Sequence, residues 1–359
     1  MTPRRAALFL LGGLALVVLA IWLASQRHLE HATLAGDLVL PGLDHRVNMV
    51  TEIDLKRGDG TRVSLKKDAN GWQVGERAWP AETGKVRKLL LDLGALNMVE
   101  EKTRLPANYP QLGVEDVTTP KATGTEIDVI GTGRSYTLIV GHTSSGKSGY
   151  VRVGGTAPSL LAAPLLTPDA DPKTWLDHTL IDLPAARVRE VEAKPADGPR
   201  YSATRAKKED IDFTVAPLPK GRQLTSSGAA DSIAAALGAL TLEDVQKGAA
   251  PADARVSHAV FRTFDGLEVE VAGRKDGTRS LIALTARSQG ADTAAEAQRL
   301  NARLTGWEFE IPEYKYGAIF RPLEDLLKPV EKPKPPEKKA AAKAPAAKAP
   351  AASPATAPK

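Results

Sequence analysis

The hydrophobic and polar positions of this chain fall into three regimes. The first is a continuous apolar run, Ala6 to Ala24, of 19 residues without a charge. At about 1.5 Å rise per residue a helix over it reaches roughly 28 Å, close to the hydrocarbon thickness of a bilayer. Arg4 and Arg5 precede it and Trp22 sits near its far end. Basic residues before a span favour a cytoplasmic start, and an indole favours the membrane interface. The run is long for a cleavable signal peptide, and the cleavage window offers Trp22-Leu23-Ala24 rather than small residues. The expectation is a cytoplasmic stub at 1–5, an inner-membrane anchor at 6–24 and a connector at 25–45, with the bulk of the chain periplasmic.

The second regime is alternation, and it occurs twice. Val47 to Leu55 reads as an extended segment, and so does Val188 to Ala193, at an offset of 141. At the same offset Trp72-Gln73-Val74 meets Phe213-Thr214-Val215. Leu93-Gly94-Ala95-Leu96 returns as Leu237-Gly238-Ala239-Leu240 at an offset of 144. Alternating pairs (Ile53 and Leu55, Val63 and Leu65, Trp72 and Val74) are punctuated by Asp59-Gly60 and Asn70-Gly71, which are turn signals. A helical spacing follows over 82–96, with Val86, Leu89, Leu90, Leu93 and Leu96 on one face. The second copy predicts a helix over 229–240 through Ile233, Leu237 and Leu240. Further strands are predicted at 126–130, 136–140 and 150–153, then at 256–264, 267–271 and 280–285. A helix between antiparallel strands has to cover one face of their sheet. The fold class is therefore α+β, with two tandem repeats of antiparallel sheet and covering helix at 46–184 and 185–328.

The third regime is a Lys/Pro/Ala-rich tail at 329–359. It has too little apolar surface to bury, and is expected to be disordered. From Lys328 onward the net charge is +6, while the rest of the chain carries −1. The basic balance thus belongs to the tail, and no nucleic-acid groove is expected in the body. A tail of this charge is also compatible with a cell-envelope or peptidoglycan-binding module.

Candidate chemistry is sparse. There is no cysteine, which excludes disulfides, thiol nucleophiles, thiolate metal sites and a lipobox acyl anchor. The histidines form no H-x-x-x-H pair, although His28 and His31 lie three apart beyond the apolar run. Carboxylates are numerous but dispersed. Trp72, Trp79, Trp175 and Trp307 read as core or interface anchors. One motif invites an enzymatic reading. Gly141, Gly146, Lys147 and Ser148 satisfy the G-x-x-x-x-G-K-S phosphate-loop spacing, which would make the chain a nucleotide-binding enzyme. A phosphate loop needs a helix next, so that backbone N–H groups and the helix N-terminus cradle the phosphates. Here Gly149 to Gly155 alternates like a strand, and the second copy fills the same slot without the motif. The expectation is a hairpin loop and no cofactor.

The ordered set Gly71-Trp72-Gln73-Val74, the Leu93–Leu96 motif, Leu112-Gly113-Val114, Leu138–Gly141, Tyr150–Val153, Trp175-Leu176-Asp177 and Trp307–Tyr314 resembles the bacterial family of unknown function DUF4340. That resemblance implies a membrane-tethered envelope protein. Its partners would be subunits of an ABC-type export system related to gliding-motility auxiliary components, or other envelope proteins. It supplies no catalytic residues. The implied function is a non-enzymatic accessory or scaffold component.

Overall fold

The computed structural model describes residues 36–131, 133–248 and 255–329. The expected anchor at 6–24, the stub before it and the tail from 330 onward lie outside the described residues, as do His28 and His31. Among the described residues no helix is long and apolar enough to cross a membrane.

The architecture is rich in sheet and poor in helix. The first half contains β1 (Glu52–Arg57), β2 (Arg62–Asp68), β3 (Gly71–Val74), β4 (Trp79–Pro80), α1 (Thr83–Gly94) and β5 (Asn97–Thr103). It continues with α2 (Tyr109–Leu112), β6 (Thr125–Ile130), β7 (Tyr136–Ser145), β8 (Ser148–Val153) and β9 (Ser159–Ala163). These strands form one antiparallel sheet in the order β4-β3-β2-β1-β6-β7-β8-β9-β5. Alternation places Ile53, Leu55, Val63, Leu65 and Val74 in the core at 0–1% exposure. The tight turns are held as their sequence implies: Asp59 Oδ1 accepts from Thr61 N–H at 2.9 Å, and Asp68 Oδ1 from Asn70 N–H at 2.7 Å. Helix α1 buries Val86, Leu89, Leu90 and Leu93, as their spacing predicts.

The second half contains β10 (Thr179–Ile181), β11 (Val188–Lys194), β12 (Tyr201–Thr204), β13 (Thr214–Ala216), α3 (Asp231–Ala234), β14 (Leu240–Thr241) and β15 (Asp244–Lys247). It closes with β16 (Ser257–Thr263), β17 (Leu267–Asp276), β18 (Arg279–Ser288), α4 (Ala294–Leu304), β19 (Trp307–Glu310) and α5 (Glu313–Ile319). Its sheet runs β13-β12-β11-β16-β17-β18-β19-β15, with β10 and β14 paired separately. Apart from the extra β4, this is the strand order of the first sheet, position for position.

The register refines the expected offsets. Ile53 pairs with Leu65 and Val129, and Val191 pairs with Ala203 and Phe261, so the first strands correspond at an offset of 138, not 141. Val47 opens a 3-10 turn ahead of β1, whereas Val188 is already the first residue of β11, so these two valines do not share a place in the sheet. The Trp72/Phe213 equivalence holds, because Val74 pairs with Leu65 where Val215 pairs with Ala203. Leu93, Leu96, Leu237 and Leu240 are all at most 1% exposed.

The helix expected over 229–240 is corrected. Only Asp231–Ala234 is α-helical. Beyond it Ala236 N–H bonds Ile233 O and Gly238 N–H bonds Ala235 O, both at 3.0 Å and both closing tighter turns. Three apolar anchors and a glycine are too few to hold an α-helix there, and the segment instead packs as successive turns. Helix α4 was absent from the expectation. Its Asn301 side chain donates to Ala286 O at 2.7 Å and accepts from Ala286 N–H at 2.8 Å, fixing the helix against β18.

Candidate functional site

The two sheets meet through two contacts made by the short segment that follows β3. Trp79 of β4 is 1% exposed and lies edge-on to Trp307 and Phe309 of β19, with ring centroids 5.4 and 5.2 Å away. Its indole N–H donates to Asp177 O at 3.0 Å. Arg303 covers the ring at 5.4 Å and donates to Asp177 Oδ2 at 2.8 Å and Thr179 O at 2.6 Å. The other contact is ionic. Arg77 grips Asp244 of β15 in a fork, at 2.6 Å from Nε and 3.1 Å from a terminal nitrogen. Ala78 between them has φ +50, the left-handed turn that lets Arg77 and Trp79 both reach the second sheet.

Beside Arg77 the halves leave a cleft of about 740 Å³. The turn Gly75–Ala78 forms one wall, the strand β15 forms the floor, and Lys173, Arg279 and Glu310 close the rim. Its charges are mostly mutually engaged. Lys173 lies 3.3 Å from Asp244. Arg279 donates to Glu310 at 2.8 Å and to Gln246 at 3.2 Å. Next to it Arg274 holds Glu308 in a fork of 2.8 and 2.9 Å. Burial raises the Asp244 carboxyl, but the Arg77 bonds, the Val245 N–H and the Lys173 charge outweigh it, and the group stays below its ordinary value. The Arg274 fork likewise lowers Glu308. Carboxylates held ionised in this way are poor proton shuttles at neutral pH. The described lining offers no hydroxyl, thiol or imidazole.

The residues singled out by motif lie elsewhere. Gly141 is within β7, Gly146 and Lys147 make the exposed turn, and Ser148 begins β8. Ser145 and Ser148 hydroxyls meet at 2.9 Å across the hairpin. A strand follows the turn, so no helix N-terminus faces it. Gly141 has a packing reason: a Cβ there would sit 2.1 Å from Leu112 O and 2.8 Å from a Val114 methyl. Trp72, Trp79 and Trp175 are core side chains, and Trp307 packs against Trp79 from the second sheet.

Residues 72–258 match the family described as Domain of unknown function (DUF4340), which is more than half of the chain. The chain belongs to that family. No curated protein and no solved structure matches it. The DUF4340 match opens at Trp72 in β3 and ends at His258 in β16. It therefore includes Arg77, Trp79, Lys173 and the whole of β15, while Arg279, Trp307 and Glu310 come from the chain beyond it. None of the cleft's charged residues was singled out by sequence. They are isolated in the chain and become a site only when two sheets meet.

Proposed function

We propose that this DUF4340 protein is a single-pass inner-membrane protein whose periplasmic body serves as a non-enzymatic accessory or scaffold component of an ABC-type export system. The body would be two tandem sheet-and-helix repeats produced by duplication, joined through Trp79 and Arg77. The observation that carries the reading is the uncharged run Ala6–Ala24 behind Arg4 and Arg5. A tether of this kind confines the body near the membrane and raises its effective concentration for a membrane-embedded partner. The engaged charges of the cleft support a binding role over a catalytic one. The test is affinity purification of the full-length chain from membranes in mild detergent. Recovery of permease or ATPase subunits is the expected result. Recovery from the cytosolic fraction, or a C-terminal reporter facing the cytoplasm, would sink the proposal.

A further inference from the structure

We infer that the cleft between the two sheets takes a short, extended, acidic peptide segment that adds as a strand to the outer edge of β15. Among the described residues strand β15 is the last of its sheet and pairs only with β19, in an unbroken register from Asp244↔Glu310 to Lys247↔Trp307. Gly248 N–H donates to Gly306 O at 3.2 Å immediately after. In an antiparallel pair bonding alternates, so Asp244 and Gln246 turn their backbone groups to β19, while Val245 and Lys247 turn theirs outward. The Val245 N–H is held by Asp244 Oδ1 at 2.8 Å. By the same alternation the Lys247 N–H and carbonyl point away from β19, while Val245 is buried at 2% exposure; all four residues of β15 line the cleft.

The corresponding strand of the first sheet is built differently. Strand β5 has two register breaks against β9, and carries Glu100, Glu101 and Lys102. At its start it is already bonded by Gly36 N–H to Met98 O at 3.0 Å and by Met98 N–H to Asp37 O at 2.8 Å. Bulges and charges of this kind blunt an edge against pairing. The regular edge of β15 sits instead inside a groove whose volume is in the range of ligand sites.

Charge selects the occupant. Arg77 and Lys173 share the single Asp244 carboxylate, Arg279 pairs with Glu310, and Glu76 keeps its charge while accepting from the Ser64 N–H. The Lys247 ammonium lies over the Trp307 ring at 5.2 Å and leaves the groove with an excess of positive charge. The chain's own C-terminal tail suits it poorly, since its lysines repel and its prolines cannot donate. An acidic strand supplies main-chain bonds to β15 and carboxylates to Lys247 and Lys173.

The test is fluorescence anisotropy with a fluorescein-labelled, end-blocked Glu-Val-Glu-Val-Glu peptide and the purified full-length chain. Saturable binding is expected, about tenfold weaker for Lys-Val-Lys-Val-Lys and for the acidic peptide N-methylated at alternate amides. Lys247→Glu should weaken the acidic peptide about tenfold with its thermal unfolding unchanged. No saturable binding overturns the inference. Equal binding of the N-methylated peptide also overturns it, because charge alone would then account for the association. Transporter co-purification is scored separately, so either result can fail without the other.

Discussion

Arg77, in the turn after β3, closes a two-pronged hydrogen-bonded ion pair on Asp244, 167 positions away at the head of β15. The Asp244 side chain is only 10% exposed and Arg77 28%, so the pair is sheltered at the junction of the sheets. Sheltered charges are costly to leave without a partner.

Replacing Arg77 by alanine removes the fork and leaves Asp244 with Lys173 at 3.3 Å and the Val245 N–H at 2.8 Å, and should lower stability by about 2 kcal/mol, the range for losing a hydrogen bond to a charged group. Urea unfolding followed by tryptophan fluorescence measures it. The double variant Arg77→Ala, Asp244→Ala should lose less than the sum of the single losses, since either truncation alone already removes the fork. Additive losses would show the two residues to be uncoupled.

The pair also sets an acid response. Asp244 is held below its ordinary value of 3.8, so the folded state binds its proton less readily than the unfolded chain. Its contribution is present above that value and is lost as pH falls through the lower, folded value. Glu308, lowered by Arg274, acts in the same direction. Stability should fall as the solution is acidified below about pH 4. In Asp244→Asn the slope should be shallower there. An unchanged slope would remove Asp244 from the acid response.

Trp79 anchors the apolar half of the joint. Trp79→Ala deletes a fully enclosed indole and should cost about 3–5 kcal/mol. Trp307→Ala should cost less, because that ring is only half-buried. Calorimetry of the two variants gives the ranking, and the reverse order would show that the joint is centred elsewhere.

The glycines of the G-x-x-x-x-G-K-S segment should separate by packing. Gly141→Ala meets the Leu112 carbonyl and should destabilise by about 1–3 kcal/mol. Gly146→Ala faces open space and should change stability by less than about 0.5 kcal/mol. Calorimetric titration with ATP and magnesium should be flat for the parent chain and for Lys147→Ala alike. A phosphate-binding loop would instead show heat in the parent that Lys147→Ala abolishes.

Much of the local structure was legible because its causes are local. Period-two burial in β1, β2 and β3, the Asp59-Gly60 and Asn70-Gly71 turns and the Val86, Leu89, Leu90 and Leu93 face of α1 need only neighbours within a few residues. Alternation after Gly149 was enough to replace a phosphate loop with a hairpin. Where several arrangements bury the same side chains, pattern failed. Ile233, Leu237 and Leu240 are buried equally well by turns as by a helix, and the segment from Val47 resembled that from Val188 without sharing its register in the sheet.

By itself, then, the sequence determined the central strands, the Asp59-Gly60 and Asn70-Gly71 turns and helix α1, since hydrophobic period and turn chemistry act over short range, whereas β5, β9, β12, β15 and β19 emerged only in the folded chain. The tertiary structure alone decided the joint and the cleft. Arg77 and Asp244, Trp79 and Trp307, and the outer edge of β15 become related only when two sheets dock. Nothing in the spacing of those residues along the chain encodes a distance across it.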